Sequence, residues 1–228
     1  MWLNLKGKNI LVDPGPGSLV RIFEFKRDPR DLNGIILTHR HLDHVADTAS
    51  VVESATESNT KKLDFLLAPH DAIDGEDPVV LKYTKKGFRQ IWTTQLDQEY
   101  NYEGISIKPL IKHIHQGAET YSLGIYFDSK KVVLVPCGRF YEDMLYPYPQ
   151  NPDIMVFNTT FVKPNQHFYH LSAEDVEKII MKTKPRKAVL THYSLLMLKE
   201  NPEKVAKSMS DRTGIEVIAA KDGLKVEF

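Results

Sequence analysis

Thr38-His39-Arg40-His41-Leu42-Asp43-His44 follows directly on the apolar run Gly34-Ile35-Ile36-Leu37. The apolar run reads as a buried strand, and the segment after it packs three imidazoles and a carboxylate into positions 39–44. His39 and His41 are two apart in extended chain, so their side chains reach the same side. Asp43 and His44 stand where a helix over 45–58 begins and can turn back to the same point. Neutral imidazole and carboxylate are the usual ligands of zinc and its neighbours, so the cluster predicts a site for one or two divalent metals. A His-rich surface turn is the bland alternative. The strand–loop–helix setting, and the further histidines at later strand ends, argue against it.

Working outward, residues 9–13 read as a short strand stopped by Pro14-Gly15-Pro16-Gly17, and Ser18 as the cap of a short helix reaching Phe25. A strand at 64–68 ends in Pro69-His70, and residues 78–86 read as helical. Strands follow at 91–96, 100–102, 105–111, 121–127, 131–135 and 153–157, with turns at Glu103-Gly104 and Asp128-Ser129. The pattern then changes to helix–strand alternation. Ser172 caps a helix that ends before Pro185, 187–191 is a strand, 202–212 a helix, and 216–219 and 224–228 are the last strands. Such an order predicts an α/β chain with helices covering mixed sheets. No repeat or linker interrupts it, so one domain over 1–228 is the simplest organisation.

Composition narrows the classes. The length of 228 residues supports a full core, and Lys+Arg and Asp+Glu both total 30. A formal charge of zero argues against the broad basic face that drives non-specific nucleic-acid binding. No apolar stretch approaches the roughly 20 residues that span a bilayer, and the first residues lack a signal-peptide layout. A single Cys excludes internal disulfides and fits a reducing compartment, so a cytoplasmic location is expected.

Chemistry-bearing residues recur where apolar strands end: His113 and His115 after 105–111, Cys137 after 132–136, and His192 after Ala188-Val189-Leu190-Thr191. Loops at strand ends of a rigid sheet are where metal and catalytic groups collect. Taken alone each later His is an ordinary buried or surface residue. Taken with positions 39–44 they supply the six to eight donors that a metal pair needs.

These segments resemble the metallo-β-lactamase-fold metal-dependent hydrolases, in the ribonuclease Z and phosphodiesterase-like branch. The resemblance rests on Ile10-Leu11-Val12-Asp13-Pro14-Gly15-Pro16-Gly17, the T-H-x-H-x-D-H segment at 38–44, His115 before Gly124, and Leu190-Thr191-His192-Tyr193-Ser194. It runs from about residue 9 to the C-terminus. It implies a four-layer αββα sandwich, with two mixed sheets flanked by helices and the metals at one edge of the sheets. It also implies two zinc ions, with manganese, iron or nickel as alternatives. His39, His41 and His115 would hold the first ion, and Asp43, His44 and His192 the second. His113 competes with His115, and the spacing through Glu119-Thr120 favours His115. His170, just before the Ser172-capped helix, resembles the family's His near the leaving group, where it would donate a proton. Asp43 would orient the attacking hydroxide besides binding metal.

Three departures sharpen the reading. The family's bridging Asp falls where this chain has Val135-Pro136-Cys137-Gly138-Arg139, so Cys137 takes that place as a thiolate ligand or else as a small buried residue. Only eight residues precede the strand at 9–13, against one or two strands in the family. That leaves either a start further upstream or a first sheet short of an edge strand. Redox di-iron members carry Glu at the position of Leu42, which cannot ligate iron, so hydrolysis is expected. A metal-bound hydroxide would attack a small phosphodiester, since no Gly/Pro-rich arm to grip transfer RNA is present. A glyoxalase-II-like thioesterase and a non-catalytic metal-binding or sensing domain are the alternatives. A small-molecule substrate, no membrane contact, and a homodimer through an open sheet edge complete the expectations.

Overall fold

Lys6 and Gly7 both lie at positive φ, 52° and 75°, and close a two-residue hairpin whose twist matches its strands. Those strands are β1 (Trp2–Leu5) and β2 (Lys8–Val12), antiparallel with Leu5 opposite Lys8. The residues before position 9 therefore supply an edge strand of their own. Their turn, Lys-Gly, lacks the Asn-Gly or Asp-Gly signal that marks such hairpins in a sequence.

The computed structural model describes residues 1–228, in two compact units, Met1–Tyr100 and Asn101–Phe228. In the first, helix α1 (Ser18–Glu24) leads to β3 (Gly34–Ile36), and α2 (Leu42–Val45) and α3 (Thr48–Ala55) follow it. Next come β4 (Leu63–Ala68), α4 (His70–Ile73) and β5 (Phe88–Thr93). The sheet order is β1-β2-β3-β4-β5, parallel from β2 onward. Parallel neighbours require crossovers, and the helices provide them. Leu11, Ile35 and Leu66 pack with Ile22 of α1 and Val51, Val52 and Ala55 of α3. Each of the Val, Leu and Ile side chains contributes about 1.5–3 kcal/mol when fully buried.

Three sequence expectations are corrected here. Ser18 does not cap α1: the cap is Gly17, left-handed at φ 82° and without a side-chain bond. The helix expected over 45–58 breaks between α2 and α3, because the Asp47 N–H donates to Pro14 O at 3.0 Å and its carboxylate accepts from Leu19 N at 3.0 Å. Residues 78–86 do not form a helix. Val79 and Val80 both donate their N–H to Ala72 O, at 3.1 and 3.0 Å, and only Thr84–Gly87 makes a 3-10 turn.

The second sheet begins with β6 (Tyr100–Tyr102), beside β7 (Ile105–His113), which runs antiparallel to β8 (Thr120–Phe127); β8 in turn pairs antiparallel with β9 (Lys130–Val135). Strand β10 (Ile154–Phe161) then lies parallel to β9 and to the short β11 (Leu171–Ser172). Helix α5 (Ala173–Thr183) crosses to β12 (Lys187–Thr191), parallel to β10. Helices α6 (Leu195–Lys199) and α7 (Pro202–Thr213) precede β13 (Glu216–Ala219), parallel to β12. Val176, Ile179 and Ile180 of α5 and Ala206 and Met209 of α7 bury against Met155, Phe157, Ala188 and Leu190 of the sheet. Residues 224–228 form no strand; a turn from Leu224 N to Lys221 O precedes them.

Two strands run further than expected. β7 continues to His113, and β10 through Asn158, Thr159 and Thr160. The register pairs Asn158 with Thr191, so the ends of β10 and β12 lie side by side. No helix is long and apolar enough to cross a membrane.

Helix α5 starts with the capping box expected at Ser172. Ser172 Oγ accepts from Asp175 N at 3.2 Å, and Asp175 Oδ2 accepts from Ser172 N at 3.0 Å. Ser172→Ala should cost about 1 kcal/mol, seen as a lower urea midpoint with an unchanged slope of the unfolding transition.

Candidate functional site

In the first unit the geometry starts from Asp13, at the end of β2. Its backbone is left-handed, φ 47°, which turns the carboxylate onto the His-rich loop. Oδ1 accepts from Thr38 N at 2.7 Å, while Oδ2 accepts from Thr38 Oγ1 at 2.6 Å and from His44 Nδ1 at 2.9 Å. An ionised carboxylate only accepts, so the Thr38 hydroxyl spends its proton on Asp13 and must itself accept from His39 Nδ1, 3.1 Å away. Both His39 and His44 thereby carry their proton on Nδ1 and keep the lone pair on Nε2. This is how second partners orient imidazoles for metals.

The rings crowd together. His39 lies 4.1 Å from His44 and 4.9 Å from His41 between centroids. Asp43 Oδ2 stands 3.5 Å from His44 Nε2, with its side chain 61% exposed, so the carboxylate reaches the cluster from the solvent side. Gly15 makes this possible: a Cβ there would fall 2.1 Å from Asp43 O. At His44 burial opposes charge, yet the hydrogen bond and charge of Asp13 outweigh it and raise the pKa above the ordinary value. At His41 burial prevails over Asp43 and lowers it. Beside His41 is a cavity of about 540 Å³ lined by Arg40, Leu42, Val45, Ala49, Pro78 and Leu81 among others.

In the second unit the strand ends gather a second set. Cys137, His170 and His192 offer donor atoms all within 4.8 Å of one another. Cys137 Sγ is 3.6 Å from His192 Nε2 and accepts from Asn158 Nδ2 at 3.3 Å. His192, after β12, is left-handed at φ 62°. His115 meets His170 edge-on at 4.9 Å and donates from Nδ1 to Tyr169 O at 2.8 Å, so its lone pair also lies on Nε2.

His113 has a different place. It is buried within β7, its Nε2 bonded to Ser122 Oγ at 2.5 Å, with Ser122 in turn 3.0 Å from Tyr148 OH. Gly138 closes over it, since a Cβ there would lie 2.5 Å from His113 Nδ1. Burial, reinforced by His115, pushes its pKa down to about 3. Of the two competing histidines, His115 is the one whose ring meets His170, a member of the donor group with Cys137 and His192. Arg139 and Tyr141 are held by packing and hydrogen bonds, Arg139 on Gln166 O and over the Tyr169 ring, Tyr141 on Lys112 O.

The donors suit a divalent metal. Imidazole must be neutral at the ligating nitrogen, and three of the histidines named here have Nδ1 committed to an oxygen acceptor. A thiol beside imidazole is a zinc-type set. The roles of Asp13, Thr38 and Asn158 were not read from the sequence. Asp13 had a signal, an Asp closing an apolar strand before Pro-Gly-Pro-Gly. The others act through contacts between distant segments.

Residues 8–193 match the model of the beta-lactamase superfamily domain. The chain belongs to that superfamily. It is 30% identical over 227 residues to the uncharacterized protein MJ1374 of Methanocaldococcus jannaschii, covering 95% of this chain and 82% of that protein. It is 25% identical over 239 aligned positions to a UPF0173 metal-dependent hydrolase of Sulfurisphaera tokodaii, covering 99% and 94%. Among solved structures it resembles the metallo-beta-lactamase fold protein YhfI of Bacillus subtilis, with a TM-score of 0.79 at 23% identity over 95% of this chain and 86% of that one. The chain thus has the metallo-β-lactamase fold, as its residues led one to expect.

The buried His113 makes a prediction for acid. Unfolded, it takes up a proton near 6.5; folded, only near 3. Between those values unfolding binds a proton, so stability falls as pH falls, by up to about 1.4 kcal/mol per pH unit. Urea titrations of metal-free protein from pH 7 to pH 4 should show this slope, and His113→Gln should flatten it.

Proposed function

We propose that this superfamily member is a metal-dependent hydrolase of a small phosphodiester. The observation that carries the reading is the convergence of Cys137, His170 and His192 at adjoining strand ends, with donor atoms within 4.8 Å. The ordered imidazoles of the His39–His44 segment support it. The ligands are His39, His41, Asp43, His44, His115, Cys137 and His192, and the thiolate of Cys137 favours zinc, two ions per chain. When bound, such ions supply a water acidified to near-neutral pKa and positive charge for the phosphoryl oxygens.

The chain's own groups do the rest. Asp43, exposed and on the solvent side, orients the attacking water. Asp13 holds His44, and through Thr38 also His39, with the lone pair left on Nε2. The cavity beside His41 has room for the organic group of an ester, with Leu42, Val45 and Ala49 as apolar walls. His170 assists the leaving oxygen. A relative's name as a metal-dependent hydrolase agrees with this class of activity, and a net charge of zero agrees with a small substrate rather than a nucleic acid.

Zinc-loaded protein should hydrolyse bis(p-nitrophenyl) phosphate and leave S-acyl glutathione untouched. Asp43→Ala should cut turnover by about 10²-fold or more and reduce bound zinc, with an unchanged circular-dichroism spectrum. Turnover of the thioester alone would replace the phosphodiester by a thioester. Zinc binding with no turnover of either would make the chain a metal-binding module.

A further inference from the structure

Thr160 lies near the end of β10, 7% exposed, and its hydroxyl has two ring nitrogens as partners: His170 Nδ1 at 3.1 Å and His192 Nδ1 at 3.1 Å. The two rings are nearly parallel, 22° apart, with centroids 5.5 Å from each other. A hydroxyl carries one proton. It can accept from both nitrogens only by leaving that proton without an acceptor in a buried place, which costs about 1–3 kcal/mol. Thr38 in the first unit shows the contrast. It too touches an imidazole Nδ1, but it delivers its proton to the Asp13 carboxylate and is free to accept from His39. No carboxylate bonds the Thr160 hydroxyl, so its proton goes to one of the two rings.

Which ring is decided by His192. Its Nε2 faces Cys137 Sγ at 3.6 Å, and a ligand there needs its lone pair on Nε2 and its proton on Nδ1. His192 Nδ1–H then donates to Thr160 Oγ1, and the Thr160 hydroxyl donates to His170 Nδ1. We infer that Thr160 is a positioning residue that sets the two histidines in opposite tautomers, His192 as a metal ligand through Nε2 and His170 as a neutral imidazole bearing its proton on Nε2. His170 therefore helps the leaving oxygen by donating a hydrogen bond to the charge that develops there. This replaces the full proton transfer expected from the sequence. The attacking hydroxide oxygen bonds to phosphorus as the ester P–O bond breaks with its electron pair on the leaving oxygen; the Nε2–H stays on the ring, and the departing oxygen takes its proton from solvent water. Donors aimed at developing charge in this way typically contribute about 10²–10³-fold.

The inference rests on the phosphodiesterase reading only for its kinetic arm. The decisive measurement is long-range ¹⁵N–¹H correlation on zinc-loaded protein with ¹⁵N-labelled histidine, assigned with His170→Ala and His192→Ala. Protonated Nε2 and bare Nδ1 on His170, with the reverse on His192, is the expected result. A proton on Nδ1 of His170, alone or together with one on Nε2, overturns the inference. Thr160→Val should erase the Nε2–H preference of His170, and Thr160→Ser should restore it; an unchanged His170 pattern in Thr160→Val also overturns it. In turnover, compared at equal zinc content, Thr160→Val should slow an alkyl phosphodiester by about 10²-fold more than a p-nitrophenyl diester, whose leaving group is stable as an anion. Equal loss on both would reduce Thr160 to a structural role and sink the inference. If wild-type protein hydrolyses neither diester, the phosphodiester reading falls, and the tautomers still decide the role of Thr160.

Discussion

The carboxylate of Asp13 is the constraint from which the histidine loop takes its form. Three donors meet on its two oxygens, one backbone N–H, one hydroxyl and one imidazole N–H, all within 3 Å. Charge-assisted bonds of this kind are roughly twice as strong as neutral ones. They fix a loop that would otherwise have to satisfy its polar groups in a mostly buried setting. The same bonds dictate the protonation of His39 and His44, so one acidic side chain organises backbone and chemistry together. The Pro14-Gly15-Pro16-Gly17 turn that follows is shaped to let this happen, with Gly15 pressed against the carbonyl of Asp43.

The second unit reaches a comparable order by sheet register instead of by a carboxylate. Parallel pairing of β10 with β12 brings Asn158 opposite Thr191. The polar residues beyond each rung, Thr160 and His192, then meet at hydrogen-bonding distance. Asn158 supports Cys137 from the same strand. A core of Met155, Phe157, Leu190 and the apolar face of α5 holds the two strands in place.

The histidine segment, the parallel strands around it and the capped helix α5 were all legible, because each is a local pattern: apolar run, ligand spacing, capping residue. What escaped the sequence depended on remote partners. Asn158-Thr159-Thr160 looks like a loop, yet it continues β10 because β11 and β12 flank it and Thr159 is buried. The helix expected over 78–86 fails because Ala72 O captures two of its N–H groups. Position 113 ends an apolar strand just as a ligand would. Its neighbour Gly138, far along the chain, marks it as a core residue. The shared hydroxyl of Thr160 had no local signal of any kind.

His192 keeps a left-handed backbone that a β-carbon disfavours, at a cost of order 1–3 kcal/mol for a non-glycine residue. Glycine would relax that codon's backbone while deleting the imidazole. Laboratory evolution for heat tolerance alone and evolution for turnover should therefore pull position 192 in opposite directions, and the outcome at that one site would reveal which pressure a library had felt.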